Sequence, residues 1–485
     1  MSPQSEEFFN YINGEWVRSS SGRTFDNINP ADTRESVGRF QASVSADAEA
    51  AVGAAEAAFN VWRNASIGKR AKVLNAAADY LEVNAARFGE ELSREEGKSV
   101  ALAKDEFLRA AQTFRFYAIE AQTFGGETYP QEDPKMMVYS QREPLGVVSV
   151  ISPWNFPASI PARKIAPALI TGNTVVFKPS SDAPLSGLRL VEALVQADLP
   201  PGVINFVTGR AGEVGPVITT SKAVRAVSVT GSTRAGESIH RTVHLTTRLQ
   251  MELGGKTPLI VMEDADIDQA VDLAIKGGFS LTGQACTGTS RVIVVSEVKE
   301  RFTAKLIDRV KQLTIGPGLT PGMDLGPLAT ARQLETVLSY LEIGRSEATL
   351  LCGGERLTTG VHEHGYYVTP AVFDDVTQDM RIAREEIFGP VIALIAANDF
   401  DDALAKANDS DYGLSAAIAT RNPRYMHAFA SEIQSGTVKI NRTTTGNLVN
   451  APFGGVKNSS TSTFRESGRT GLEFFTQTKV VYRGL

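Results

Sequence analysis

The chain has 485 residues, 42% hydrophobic and 21% charged, an ordinary globular composition too long for one simple core, so two or three domains are expected. A net charge of −6 without a basic run speaks against a nucleic-acid binder. No apolar stretch approaches the roughly 20 residues of a membrane span, and the polar, acidic residues 1–10 lack the order of a signal peptide. Two cysteines, Cys286 and Cys352, exclude a disulfide framework and point to a reducing compartment, the cytoplasm. Five histidines in no ligand spacing give no reason to expect a metal; His362-Glu363-His364 lacks the helical register.

The first 45 residues read as polar and turn-rich. Residues 48–122 are rich in Ala, Leu and Glu, with apolar residues at three and four spacing, and predict helix. Thr123 to Thr128 breaks this pattern, and 136–141 reads as extended. From Val147 short β-branched runs (147–151, 174–177, 203–207, 226–229, 259–262) alternate with amphipathic stretches (158–170, 185–197, 234–243). Apolar strands alternating with helices predict a parallel sheet covered on both faces, with ligands at the carboxyl ends of its strands. A second series follows: strands at 292–295, 391–395, 414–419 and 437–440, with a charged helix at 299–313. The last segment, 472–482, ends in a strand-like Lys479-Val480-Val481-Tyr482 with no obvious neighbour in its own domain, so it is expected to join another sheet or another subunit.

Several residues after these runs could carry chemistry. Cys286, in Gly283-Gln284-Ala285-Cys286-Thr287-Gly288-Thr289, stands among small residues, the open backbone that a nucleophilic thiolate needs; taken alone, an inert buried thiol is the plainer reading, as it is for Cys352. Glu252, in Gln250-Met251-Glu252-Leu253-Gly254-Gly255-Lys256, is either a desolvated general base or an exposed acid ending a helix. Asn155, pinned in a loop between Pro153 and Pro157, offers a fixed amide for an oxyanion, or is an ordinary turn asparagine. Thr230-Gly231-Ser232-Thr233 opens a helix that could receive a phosphate, or one simply capped by Ser232. Lys178 follows another strand, and Glu385-Glu386 enters a Gly389-Pro390 turn.

In chain order, Pro153-Trp154-Asn155-Phe156-Pro157, Lys178-Pro179-Ser180, Thr230 to Thr233, Glu252-Leu253-Gly254-Gly255-Lys256, Gly283 to Cys286, Glu386-Ile387-Phe388-Gly389-Pro390 and Pro452-Phe453-Gly454-Gly455 resemble the aldehyde dehydrogenase superfamily over nearly the whole chain. The resemblance implies an α/β fold: a Rossmann-type cofactor domain (1–133 and 147–253), an α/β catalytic domain (254–446) and a small β bridging element (134–146 and 465–485) that pairs subunits into a homodimer or homotetramer. It implies Cys286 as nucleophile, the Asn155 amide and Cys286 N–H as oxyanion donors, Glu252 as general base, and Lys164 in support of the acid–base work. The cofactor would lie against Ile151, Ser152, Pro153 and Trp154, with Lys178, Ser180 and Ser181 near its adenosine ribose. Gly212, Thr230, Gly231, Ser232 and Leu253 would complete that face, with Glu386 on a ribose hydroxyl and Phe388 near the nicotinamide.

Two departures refine this. Many NAD-preferring members carry an acid where this chain has Ser181; a hydroxyl there predicts that NADP is accepted beside NAD, with NADP preference as the stronger form of the expectation and Asp182 next door as its counterweight. The Ser/Thr-rich run Lys457 to Glu466 and the surroundings of Cys286 are similar to those of 2,5-dioxopentanoate (α-ketoglutaric semialdehyde) dehydrogenases, which implies oxidation of that small anionic aldehyde to 2-oxoglutarate. Arg163, before Lys164, suits a remote carboxylate, with a structural salt bridge as the alternative. Phe156, Gln284, Arg442 and Phe453 are further candidates for the substrate mouth. A succinic semialdehyde dehydrogenase is the near rival, a CoA-acylating enzyme is disfavoured by the presence of Glu252, and a non-catalytic structural protein by Cys286, Glu252 and Asn155 together.

Overall fold

A computed structural model describes residues 6–461 and 463–484. Residues 1–5 of the polar N-terminus, Ser462 in the Ser/Thr-rich run and Leu485 lie outside them, so the outermost ends of the expected first domain and bridging element do too.

The Ala-rich region is three helices, Ser45–Arg63, Ile67–Glu96 and Val100–Glu120, rather than one continuous helical stretch. Ser66 caps the second by accepting the Lys69 N–H at 3.2 Å, and Gly97, at φ +98°, closes it in the left-handed conformation. The stripe Leu74, Ala77, Ala78, Leu81, Ala85, Phe88 and Leu92 is buried at the spacing expected of a helix face. Phe88 stacks on Phe107 of the third helix at 5.2 Å, and truncating such a ring costs about 3–5 kcal/mol.

The described residues build two seven-stranded sheets. In the first the order is Arg248–Glu252, Val224–Thr230, Val147–Ile151, Thr174–Lys178, Ile204–Phe206, Asn10–Ile12 and Glu15–Val17, the first five running parallel. Val148, Val150, Val175 and Phe177 face a core shared with the helices 67–96, 100–120, Ser159–Ile170 and Pro184–Gln196. Val147 and Val176 face the opposite core, against Ser45–Arg63 and Ala211–Thr220. That two-sided burial is why these strands are apolar throughout. Two features depart from the sequence reading. The turn-rich start contains four strands, Asn10–Ile12, Glu15–Val17, Thr24–Ile28 and Ser36–Gln41, too short for a period to show. Glu252 ends a strand rather than a helix, a strand hidden by its polar Arg248, Gln250 and Glu252.

The second sheet runs Thr349–Cys352, Ala371–Asp374, Val391–Ala397, Thr289–Val295, Thr257–Val261, Ser415–Ala419 and Thr437–Ile440, parallel except for its first strand. The 259–262 run, met in the sequence beside the first series, therefore belongs here, and the chain crosses between sheets at Leu253–Lys256. Finally Thr476–Gly484 pairs antiparallel along its whole length with Met136–Pro144, which also carries Thr128–Tyr129, so the terminal strand finds its neighbour within the same chain. No helix among the described residues is long and apolar enough to cross a membrane.

Candidate active site

The carboxyl ends of the first sheet's strands deliver Asn155, Lys178, Thr230 and Glu252 to one edge, and the second sheet supplies Cys286 from the turn between Ile267–Phe279 and Thr289–Val295. Asn155 is buried, and its Nδ2 donates to the Gln284 carbonyl at 2.9 Å, which sets the amide against the cysteine turn. Before Cys286 the backbone turns left-handed three times in succession, at Leu281 (φ +55°), Thr282 (φ +54°) and Gly283 (φ +72°). For side-chain-bearing residues such turns cost of order 1–3 kcal/mol each and persist only where the surroundings hold them. Here Thr282 Oγ1 donates to Gly326 O at 2.9 Å, and the Ala329 N–H donates to Gln284 Oε1 at 2.9 Å. Gln284 Nε2 reaches back to Leu281 O at 3.3 Å, so the side chain proposed for substrate contact is committed to this turn, and Gln284 faces Asn155 through its backbone carbonyl.

Burial pushes the Cys286 thiol up to about 12; the carboxylates of Glu386 and Glu252 push the same way, while Arg163 and the Thr287 N–H oppose. The cysteine is half-buried among the small neighbours that the sequence showed. Glu252 is one of the two carboxylates whose charge bears on it. Glu252 itself is buried, neither carboxylate oxygen has a hydrogen-bond partner among the described residues, and burial followed by the charge of Glu466 raises its pKa well above the ordinary range, against the pull of Lys164, Arg465 and Arg163. Glu466, not singled out in the sequence as functional, forms a buried ion pair with Lys164. Lys164 Nζ also donates to Ser228 Oγ at 3.1 Å, and Ser228 in turn to Gln250 Oε1 at 2.8 Å. Glu466 is fixed by two backbone hydrogen bonds of 2.7 Å exchanged with Phe453.

The chain crosses between sheets through Gly254 and Gly255 because no larger residues fit. A Cβ on Gly254 would overlap the Glu386 carboxylate, and one on Gly255 the Cys286 carbonyl oxygen. Glu386 Oε1 accepts the Gly255 N–H at 2.9 Å, and burial lifts its pKa to about 7 despite that bond and the nearby Lys256. Phe388 takes φ +55°, pinned by Gln333 Nε2 donating to its carbonyl at 2.8 Å, and meets Trp154 edge-on at 5.4 Å.

The remaining cofactor candidates lie on the same edge. Ser152 Oγ and Thr230 Oγ1 are buried and have no partner among the described residues, the mark of hydroxyls awaiting a polar ligand. Among the described residues Lys178 Nζ bonds only the neighbouring Pro179 carbonyl, at 2.9 Å, and burial lowers its pKa to about 8. Ser181 Oγ donates to Gly209 O at 2.8 Å, and Ser180 hydrogen-bonds Asp182. Gly212, in the first turn of Ala211–Thr220, is exposed with open space above it. Ser232 caps Thr233–Thr242 by accepting the Ala235 N–H, as its bland reading foresaw, while Gly231 N bonds Glu252 O at 3.1 Å. Leu253 packs on Gly236, and Ile151 and Pro153 are half-buried beside the strand ends. Unfilled hydroxyls, a lysine and an acid along strand ends beside a helix start fit a dinucleotide.

On the substrate side, Arg163 is half-buried, its Nε lacks a partner, and its guanidinium lies 5.3 Å from the Phe453 ring centroid. It makes no salt bridge among the described residues. Phe156 lies under Lys98 Nζ at 4.6 Å. Arg442 is exposed and acts on Lys439, so nothing ties it to the cysteine. Cys352 is half-buried in a strand of the second sheet.

A family model described as the aldehyde dehydrogenase family matches residues 16–481. The chain is 44% identical over 481 residues to the α-ketoglutaric semialdehyde dehydrogenase of Bacillus subtilis, covering 99% of this chain and 98% of that one. It is 43% identical over 475 residues to the α-ketoglutarate semialdehyde dehydrogenase of Haloferax volcanii, covering 98% of each. Among solved structures, a betaine aldehyde dehydrogenase from Staphylococcus aureus in complex with NAD+ superposes with a TM-score of 0.95 at 34% identity, covering 98% of this chain and 95% of that one.

Proposed function

The chain belongs to the aldehyde dehydrogenase family and is an NAD(P)-dependent aldehyde dehydrogenase, and from that premise we propose that it oxidises a short anionic semialdehyde, 2,5-dioxopentanoate foremost, to the carboxylate. The names of its relatives support the substrate. The single observation that carries it is Arg163: a half-buried guanidinium without an anionic partner, close enough to Cys286 for its charge to oppose the thiol's upward shift. A planar carboxylate at the far end of the aldehyde would take two of its N–H groups. Succinic semialdehyde meets the same cation and is the second reading.

In this reading Cys286, its proton given up to solvent, adds as thiolate to the aldehyde carbon, and the Asn155 amide with the Cys286 N–H holds the oxygen that gains charge. When bound, the nicotinamide supplies the hydride acceptor that turns this adduct into a thioester. Glu252 then draws a proton from water, and the resulting hydroxide releases the carboxylate from Cys286. Lys164 steadies the charge on Glu252 and Glu466 opposes it, so that Glu252 can both take up and lose that proton. Lys178 and Glu386 would hold the riboses, and Ser152 and Thr230 would donate to the cofactor's polar groups. Ser181, in place of an acid, leaves room for a 2′-phosphate, so NADP is used as well as NAD. The first sheet is the cofactor domain and the second the catalytic one. The three-stranded sheet joins copies into a homodimer or homotetramer, working in the cytoplasm.

The test is a panel of 2,5-dioxopentanoate, succinic semialdehyde and a neutral aldehyde of like length, run with NAD and NADP on the parent and on Arg163→Leu. The substitution should raise KM for the anionic aldehydes at least about tenfold and leave the neutral one within about twofold, as loss of a charge-assisted pair predicts. Equal effects on both classes would remove Arg163 from substrate binding, and an NADP efficiency far below that for NAD would remove the cofactor reading.

A further inference from the structure

We infer that Lys98 is a positioning residue for the oxyanion site: its ammonium, clasped by Glu106, fixes the Asn155 peptide and with it the amide that faces Cys286. The inference rests on the reading of Asn155 as the oxyanion donor. Lys98 stands in the turn between Ile67–Glu96 and Val100–Glu120, its side chain 1% exposed. Nζ donates to the Asn155 carbonyl at 2.7 Å and to Glu106 Oε2 at 2.6 Å, and lies 4.6 Å from the Phe156 ring centroid. The other Glu106 oxygen accepts the N–H groups of Ala158 and Ser159 at 2.9 and 3.0 Å, holding the start of the helix that carries Arg163 and Lys164. One buried ion pair therefore holds the middle of the Asn155 loop and its junction with the helix.

The same turn reaches the other half of the oxyanion site. The Lys98 carbonyl accepts from Ser93 Oγ at 2.7 Å and packs on Gly318, and the Gly97 carbonyl packs on Gly326. The Gly326 carbonyl accepts from Thr282 in the left-handed turn before Cys286, and Ala329 holds Gln284, whose own carbonyl receives the Asn155 amide. These contacts close a ring from Lys98 through Asn155 and Gln284 back to Lys98. Stability alone does not account for the ammonium. Glu96 lies 3.8 Å away, with one carboxylate oxygen unpartnered. Taking such charges out of water is costly enough that apolar replacements of a whole buried pair are often neutral or better. What a neutral replacement cannot supply is a donor fixed on the Asn155 carbonyl.

The experiment is a double-mutant cycle on the full-length enzyme. Asn155→Ala should lower kcat about a hundredfold or more. Lys98→Met combined with Glu106→Gln removes the ammonium without stranding the Glu106 charge. It should lower kcat at least about tenfold, leave the aldehyde KM and the cofactor Kd within about twofold, and add less than about twofold in the Asn155→Ala background. Lys98→Arg keeps the charge against Glu106 while enlarging the donor, and should lower kcat several-fold with KM unchanged. A near-parental kcat in these folded variants, or losses that multiply with Asn155→Ala, would overturn the role of Lys98. Failure of both Lys98 variants to fold would assign the pair to folding and overturn it too. A near-parental kcat for Asn155→Ala would instead sink the oxyanion reading on which it rests.

Discussion

Cys286 and Glu252 have the same physical problem, an enclosed group whose charged form is disfavoured. Both pKa values are raised mainly by burial, and the charge of Glu252 adds to the Cys286 shift. A base of raised pKa is idle when protonated, so the deacylation rate should climb with pH through an acid limb set by Glu252, above the ordinary carboxylate range. Glu466 is the second cause of that elevation. Glu466→Gln removes the repelling charge and frees the Lys164 ammonium, and both changes favour ionised Glu252, so the limb should move to lower pH. The steady-state rate after the burst, measured against pH, checks this; a limb that stays put or moves upward would uncouple the two carboxylates. Glu252→Gln should leave a single burst of reduced cofactor and then stall as the acyl-enzyme, because the amide cannot accept a proton from water. Loss of the burst as well would mean that Glu252 acts already at the addition step.

At the scale of elements, the site depends on how closely the two sheets approach, and Gly254-Gly255 is where they do. The two glycines face different neighbours, so substituting each should fail differently. Gly255→Ala would drive a methyl into the Cys286 carbonyl, which is backbone and cannot swing away, displacing the residue whose own N–H faces the oxyanion. It should lower kcat by about tenfold or more with little change in cofactor affinity. Gly254→Ala meets the end of the Glu386 side chain, which can rotate, so the loss should fall on cofactor Kd instead. Rapid-mixing kinetics and cofactor titration separate the two, and identical effects would mean that the crossing responds as a whole. Much of this arrangement was legible in the sequence, because strand ends, Gly pairs and the Cys286 turn are local patterns. Three-residue strands near the N-terminus show no period, and the strand ending at Glu252 is disguised by polar residues at alternate positions, Arg248, Gln250 and Glu252. Lys98, Glu106 and Glu466 could not be found by local pattern: they reach the site from 57, 52 and 302 positions away.

At the scale of the whole molecule, the three-stranded sheet is held to the body at its base and bare beyond it. Arg248 donates to the Phe474 carbonyl at 3.1 Å and Asn173 Nδ2 to the Phe475 carbonyl at 2.9 Å, just before Thr476–Gly484 sets out along Met136–Pro144. Past those anchors Val480, Tyr482, Met137 and Tyr129 are large apolar side chains left exposed, Tyr482 at 70%. The strand Thr476–Gly484 is also an edge, with one row of backbone groups free to pair. Exposed apolar residues on an unpaired edge are what a second copy would cover in the proposed assembly. The cores on both faces of the first sheet, and that of the second, lie elsewhere, so the sheet can be altered without emptying them. Replacing Val480 and Tyr482 together by Asp should therefore keep the far-UV circular dichroism and thermal unfolding of the protomer. Light scattering should show a smaller particle, because each added carboxylate would have to be desolvated against the partner's surface. An unchanged particle mass with a folded protomer would place the contact between copies on another face.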